Sequence, residues 1–497
     1  MSEPDLILVI DEGTTSTRAI VFDRAFVPVA QAQEEVGLTY PADGWVEQDG
    51  TEIWDKTLRV CREAIAEAGG AERIAGIGIT NQRETTLVWN RETDVPIAPA
   101  IVWQDRRTAG ICEVLKDRGL EPQVQAETGL LIDPYFSGTK ISWLLNQVDG
   151  ARAAASAGQL AFGTVDTFLI WQLTGGHVHA TDVTNASRTL LYPLNLDPEA
   201  TWSQAMTDLL DVPTSLLPEV KPSGATFGET DPDLFGRAIP ILSAIGDQQA
   251  ALVGQACLAP GTAKITYGTG AFLVANTGHE APKSDHRLLG TLGYAIEGGG
   301  EAYAIEGAIF NAGTVVQWLR DDLGLISDAA ESEAKAAKLS DNAGVYLVPA
   351  FTGLGAPHWD ANARGTITGL TRAASADHFV RAGLEAAAYQ THDLLEAFAA
   401  DGAEVDLLRV DGGMAANDWL MQFIADICDR RVERPDFMEM TALGAAALAG
   451  MQLGWTDAET WARRTAPGTR FDPKMDRATR DTLLDGWREA LRKTLSS

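Results

Sequence analysis

Asp11, Gly13, Thr14, Thr15, Ser16, Thr17 and Arg18 lie between two apolar runs, LILVI and AIVFD. One carboxylate suits a hard cation, while the hydroxyls and backbone N–H groups suit oxyanions. The planar guanidinium of Arg18 adds a donor fork for phosphate. Gly13 has no side chain, so a ligand can approach the backbone there. Together these groups are what binding of a Mg2+-nucleotide needs. No G-x-x-x-x-G-K-[ST] is present and a strand follows instead of a helix, so this is not a P-loop. A β-hairpin with an ordinary polar turn is the alternative reading.

Other polar groups fall at the ends of apolar runs. Asn81-Gln82-Arg83-Glu84 follows Ile74–Thr80, and Gly246-Asp247-Gln248-Gln249 follows Ile239–Ile245. Strand ends are where open α/β sheets tend to bind ligands. Ile97–Arg107 brings Trp103 and Asp105 together, and LLRVDGGMAAN (Leu407–Asn417) reads as a strand, a Gly-Gly turn and a helix start.

The elements that must position these groups follow from periodicity. VPVAQAQEEVGL adds a third strand to the hairpin, and Thr51–Ala68 reads as a helix with Asp49 as a possible cap. Thr85–Trp89 reads as a strand. Helices are expected within Tyr135–Gln147, over Thr164–Leu173, through Ala250–Ala256, over Asn311–Asp321 and around Ala329–Lys338. A long amphipathic helix runs from Phe379 to Phe398. Pro193–Pro240 is less regular, and its Asp-Pro and Phe-Gly pairs read as loop or turn. Strand, Gly-Thr turn and strand recur at Ala263–Tyr267, Gly268-Thr269-Gly270 and Ala271–Ala275. This is a weak internal repeat, with a boundary near Cys257 dividing the chain into 1–256 and 257–497.

A chain of 497 residues exceeds the usual single core, so two or three domains are expected. Its 69 acidic against 39 basic residues give a formal charge of −30, which disfavours nucleic acid and anionic membranes as partners. Four separated cysteines form no C-x-x-C pair, which suggests neither a zinc site nor a disulfide framework. The N-terminal MSEPD lacks a basic region, so LILVI reads as a strand and not as a signal peptide. Thr441–Gly454 is too short to span a bilayer and reads as a buried helix. A cytoplasmic location is expected.

Longer stretches carry a resemblance: ITNQRETT, AIVWQDRRTA, DPYFSGTKISWLL, FGTVDTFLIW, TNASRTLL, GDQQAALVGQ, YGTGAF, VPAFTGLGAPHWD, DGGMAAN and RVERP. In this order, from the first strand to about Gly454, they resemble the FGGY family of carbohydrate kinases and its glycerol-phosphorylating members. The resemblance implies an α/β fold of two RNase H-like domains, of the actin and hexokinase ATPase type, flanking a catalytic cleft. It implies ATP-dependent phosphorylation of glycerol to sn-glycerol 3-phosphate, with ATP and Mg2+ required and a homodimer or homotetramer common.

Residue by residue, Arg83, Glu84, Tyr135, Asp247 and Gln248 match polyol-binding positions, with Trp103 and Phe272 as apolar walls. A small triol needs bidentate polar partners and aromatic faces, so the match is chemically coherent. Singly, Arg83–Glu84 also reads as a solvated pair, and Tyr135 and Trp103 as ordinary core. Asp247 matches the general base, and the resemblance places Asp11 near the metal, through water. Thr14, Thr15, Ser16, Arg18 and Thr269 match phosphate contacts; Gly313, Gln317, Gly413 and Asn417 match nucleoside contacts.

Two alternatives remain. One is a sibling kinase for another small polyol or ketose; the other is a catalytically silent actin-like protein, against which the joint presence of Asp11, Thr14, Arg18, Asp247 and Thr269 argues. Departures from the family pattern are few. Glu12 stands where the glycerol-phosphorylating members usually carry Gln, and it either turns away from the phosphates or weakens nucleotide binding. Pro232–Arg237 lacks the Gly-rich form associated with fructose 1,6-bisphosphate inhibition, although Arg237 remains. Beyond Phe471 the tail does not match the segment that binds a sugar-transport regulatory protein, and neither control is expected.

Overall fold

The computed structural model describes residues 3–194, 201–360, 362–437, 439–464 and 468–495. Part of the irregular Pro193–Pro240 stretch, residues 195–200, lies outside these.

Alternation along the first strand decides how the sheet is covered. Every residue of β1 (Leu6–Glu12) is buried. Leu6, Leu8 and Ile10 enter one core, while Ile7 and Val9 enter another. A strand apolar on both faces belongs inside a sheet with helices on each side. β2 (Ser16–Phe22) and β3 (Pro28–Glu35) continue it as an antiparallel meander. On the other side β4 (Ile74–Asn81) and β5 (Ile241–Gly246) join in parallel, giving the order β5-β4-β1-β2-β3. One face is covered by α1 (Gly50–Glu67) and α2 (Val165–Leu173), which contribute Ile53, Val60 and Phe168 to the core of Leu6 and Leu8. Asp49 caps α1 as expected, accepting the Thr51 N–H at 2.8 Å.

The second half repeats the plan. β6 (Thr262–Tyr267) and β7 (Ala271–Gly278) form the recurring hairpin. With β8 (Leu289–Ile296), β9 (Gly300–Ile309), β10 (Leu407–Asp411), β11 (Arg431–Pro435) and β12 (Gly468–Phe471) the order is β8-β9-β7-β6-β10-β11-β12. Within it β9-β7-β6-β10-β11 has the same succession of antiparallel and parallel pairs as β3-β2-β1-β4-β5. The weak sequence repeat is thus a repeat of topology, two RNase H-like units.

Five further helices complete the frame around the site. They are α3 (Asp247–Gly254), α4 (Gly313–Asp321), α5 (Ala376–Ala400), α6 (Asp418–Cys428) and α7 (Met440–Gln452). α7 comes from the second half yet lies on the first sheet. Its Ala442, Ala445, Ala446 and Leu448 share a core with Ile7, Val9, Ile20 and Ile245, and with Ala250 and Val253 of α3. The α3–α7 crossing is backbone on backbone. A Cβ on Gly254 would overlap the Met440 carbonyl, and one on Gly444 would overlap that of Ala250. Glycine is the residue that fits there.

Some expectations shift. The strand placed at Thr85–Trp89 runs instead over Leu87–Asn90, because Thr85 closes the buried turn after β4 and Thr86 pairs separately in a bridge with Ile101. Pro232–Phe235, expected as loop, makes one helical turn because Asp231 caps it by accepting the Asp233 N–H. β8 is missed by pattern because Gly290 and Gly293 interrupt its apolar run. Among the described residues no helix is long and apolar enough to cross a membrane.

Candidate active site

The turn that closes β4 carries two of the expected site residues, Arg83 and Glu84. Glu84 has a φ of 61°, a left-handed conformation that a non-glycine residue keeps only with support. That support comes from the start of the helix Ser137–Gln147: Ser137 Oγ donates to the Glu84 carbonyl at 3.0 Å and Lys140 Nζ at 3.3 Å. Lys140, lowered by burial to about 7, also donates to the Tyr135 carbonyl at 2.8 Å. One helix start therefore fixes Glu84 and Tyr135 together.

Arg83 gathers the other expected residues. Its Nη2 donates to the Tyr135 hydroxyl at 3.5 Å, and its Nε lies 3.2 Å from Asp247 Oδ1. Asp247 opens α3, where Gln248 donates its backbone N–H to Oδ1 at 2.7 Å and its side-chain amide to Oδ2 at 3.1 Å. The Trp103 ring stands 5.7 Å from Tyr135 and 6.1 Å from Phe272, both edge-on. Phe272 is carried by β7 of the second sheet, so the place is built from both halves.

Three charged residues in this cluster have no role in the sequence reading. Glu306 of β9 accepts from Arg83 and from Arg188, and Arg188 in turn donates to Glu84. Burial alone would raise the Glu306 carboxyl, but Arg188 and Arg83 outweigh it and hold it well below the usual range. Lys264 of β6 donates to Gln248 Oε1, and to Thr266 Oγ1 at 3.0 Å. Burial lowers it to about 8, with Asp411 and Asp247 opposing that effect. A signal for two of them exists in the sequence, since Glu306 and Lys264 each interrupt an otherwise apolar strand, YAIEGAI and TAKITY.

On the hairpin, Asp11 and Arg18 are register partners. Arg18 bridges Asp11 Oδ2 at 2.7 Å and Glu439 at 2.5 Å, the latter at the start of α7. Burial raises Asp11 to about 6 against the pull of Arg18. Glu12 points the other way, as strand alternation requires. It is fully buried and accepts from Thr57 Oγ1 of α1 at 3.0 Å, so the extra carboxylate is turned into the core. Thr14 Oγ1 accepts from Trp103 Nε1 at 2.9 Å, which ties the hairpin turn to the Trp103–Tyr135–Phe272 aromatic group. Thr15 is exposed and Ser16 half-buried at the turn.

The second sheet supplies a matching set of turns. Exposed Thr269 lies between β6 and β7, and its carbonyl accepts the N–H groups of Ala312 and Thr314 at 3.1 and 3.2 Å. Gly313 starts α4 directly against that turn, where a Cβ would overlap the Gly268 carbonyl. Gly412 sits against the Tyr267 carbonyl in the same way, and Gly413 beside it faces open space. Asn417 caps α6, accepting the Leu420 N–H at 2.9 Å, and Gln317 is exposed on α4. Glycine turns that leave backbone bare fit a nucleotide. Among the described residues no three His, Cys, Asp or Glu side chains are grouped to hold a metal. Asp11, a single carboxylate paired with Arg18, is a hard oxygen donor at this turn, a donor set suited to an ion that keeps most of its ligands as water.

Comparison with known proteins agrees with this architecture. The FGGY family of carbohydrate kinases matches through its N-terminal domain over residues 6–254 and its C-terminal domain over residues 263–453. The chain is 58% identical to a glycerol kinase of Rhodospirillum centenum, covering 100% of this chain and 99% of that protein. It is 55% identical to a glycerol kinase of Ectopseudomonas mendocina, covering 99% of each. The crystal structure of Plasmodium falciparum glycerol kinase with ADP superposes with a TM-score of 0.92 at 36% identity, covering 99% of this chain and 98% of that one. With both domains matched in order over nearly its whole length, the chain belongs to the FGGY family of carbohydrate kinases.

Proposed function

We propose that this protein transfers the γ-phosphoryl group of ATP to glycerol, yielding sn-glycerol 3-phosphate and ADP. The observation that carries the reading is the gathering of Arg83, Trp103, Tyr135, Asp247, Gln248 and Phe272 at one place between the two sheets. In a chain 58% identical to a glycerol kinase over its full length, that set has the chemistry of a small triol site.

In this reading, Arg83 and Glu84 hold two hydroxyls while Trp103 and Phe272 flank the carbon chain. Asp247 accepts the proton of the attacking hydroxyl, a contribution of about 10²–10⁴-fold. The Gln248 hydrogen bonds to both Asp247 oxygens keep that carboxylate in one orientation. Thr14, Thr15, Ser16, Arg18 and Thr269 supply donors to the phosphates, and Gly313, Gln317, Gly413 and Asn417 line the nucleoside. Asp11 would hold Mg2+ largely through water, and the ion when bound would supply charge neutralisation to the transferring phosphoryl group. Phosphoryl transfer depends mainly on positioning, so bringing the halves 1–256 and 257–497 together about the cleft is part of the mechanism.

The test is ADP release with MgATP and a panel of glycerol, dihydroxyacetone, erythritol and xylulose, run beside Asp247→Asn. Glycerol is expected to lead the panel. The variant is expected to lose turnover by about 10²-fold or more while still binding ATP. A different leading substrate would move the specificity to a sibling activity. No turnover on any of them, with nucleotide bound, would refute the kinase.

A further inference from the structure

Glycerol is uncharged, so it cannot neutralise the guanidinium groups that meet it. Arg83 and Arg188 are both buried, as are Glu84 and Glu306. The protein must therefore balance these charges itself, because an unpaired buried ion is strongly destabilising.

The balance is drawn from both halves. Glu306 lies within β9, paired with Val274 of β7 and Leu289 of β8. Its Oε2 accepts from Arg83 Nη1 at 2.5 Å; its Oε1 accepts from Arg83 Nη2 at 3.3 Å and from Arg188 Nη2 at 3.0 Å. Arg188 Nε then donates to Glu84 Oε1 at 2.6 Å. The result is a chain of alternating charge, Glu84–Arg188–Glu306–Arg83, that ends on Asp247, with one anion supplied across the cleft.

The bonding capacity left over is informative. Arg188 Nη1 is buried without a hydrogen-bond partner, and Arg83 Nε has none either, although it faces the Asp247 carboxylate at 3.2 Å. Among the described residues the Glu84 side chain is bonded through Oε1 only. Donors on two arginines and an acceptor on a glutamate are complementary to hydroxyl groups, each of which both gives and takes a hydrogen bond.

We infer that Glu306 is a positioning residue of the polyol subsite, acting from the second unit to fix the planes of Arg83 and Arg188 so that Arg83 and Glu84 meet the substrate hydroxyls correctly. The inference rests on the glycerol reading given above. It makes the polyol subsite complete only when the two units are in contact, because its balancing anion belongs to β9.

The experiment begins with wild-type turnover of glycerol, followed by Glu306→Gln, Glu306→Asp and the charge-neutral double variant Arg188→Gln with Glu306→Gln. KM for glycerol, KM for ATP and kcat are measured separately, with melting temperature as the check on folding. For Glu306→Gln, kcat/KM for glycerol is expected to fall by about 10²-fold through KM, with KM for ATP changing less than about threefold. Glu306→Asp keeps the charge and is expected to recover part of the loss. If the single Gln variant does not fold, the double variant carries the test, since it removes one cation with one anion. Should that also fail, Glu306→Asp decides, with a rise in KM for glycerol of about tenfold expected. A KM for glycerol within about threefold of wild type in a folded Gln variant, or equal losses on both substrates, overturns the inference alone. Absence of glycerol turnover in the wild type instead overturns the function from which it starts.

Discussion

Replacing Glu12 by glutamine removes a buried acid and keeps the shape of its side chain. Glu12 is 0% exposed, accepts from Thr57 at 3.0 Å, and has its Oε1 without a partner. Burial pushes its carboxyl from the ordinary 4.5 to about 8. Because the folded value lies above the unfolded one, stability from this group is full below pH 4.5 and is lost as pH rises towards 8. At 1.36 kcal/mol per pH unit the whole interval amounts to about 5 kcal/mol, of which about 3 kcal/mol has gone by pH 7. The glutamine side chain does not titrate, so the variant should gain on the wild type by that amount between pH 4.5 and 7. For a unit of about 250 residues this corresponds to about 6 °C in melting temperature. The assay is thermal unfolding of both proteins from pH 5 to 8.5, free of nucleotide and with chelator present. All other titrating groups are common to the pair, so the difference curve isolates position 12. A difference that does not change with pH, or a wild type that gains on the variant as pH rises, would refute the reasoning.

Four further outcomes are expected. Lys264→Met removes the donor to Gln248, so kcat should fall about tenfold with little change in KM for ATP. With Lys264 lowered to about 8, wild-type kcat should decline as pH rises through that value, and a profile flat to pH 9 would contradict the role. Trp103→Phe deletes the hydrogen bond to Thr14, a loss of about 0.5–1.5 kcal/mol, so KM should rise by about 2–10-fold for both glycerol and ATP; a change confined to glycerol would separate the two subsites. All four cysteines are buried and their thiols pushed up by burial, Cys257 to about 11, so a thiol reagent should label the folded chain slowly and the unfolded chain rapidly. Fast labelling without denaturant would show that the core opens readily.

Much of this arrangement is legible along the chain because it is local. The hairpin around Asp11, the polar ends of β4 and β5, and the Gly-Thr turn near Thr269 are each written in consecutive residues. Even the direction of Glu12 follows from period two, which puts it opposite Asp11. What escapes is whatever needs two distant segments. The run 440–452 is apolar nearly all round, which announces a buried helix but not the sheet that buries it. Arg188 sits inside a recognisable motif, yet its partners Glu84 and Glu306 come from other elements, and only folding reveals the pairing. Likewise Lys140 reads as one more polar residue of an amphipathic helix until the left-handed Glu84 is placed above it.

The lodging of α7 on the first sheet has a consequence for biosynthesis. The face formed by Ile7, Val9, Ile20 and Ile245 gains its cover from α7 only when Met440–Gln452 have left the ribosome. The roughly 190 residues between Gly246 and Met440 take about 10–40 s to make at about 5–20 residues per second. Throughout that interval the nascent amino-terminal half carries an apolar surface that α3 covers only in part, and it cannot finish as an independent unit. Chaperone demand should therefore peak in mid-translation, and chains truncated before residue 440 should aggregate although their own sheet is complete in sequence.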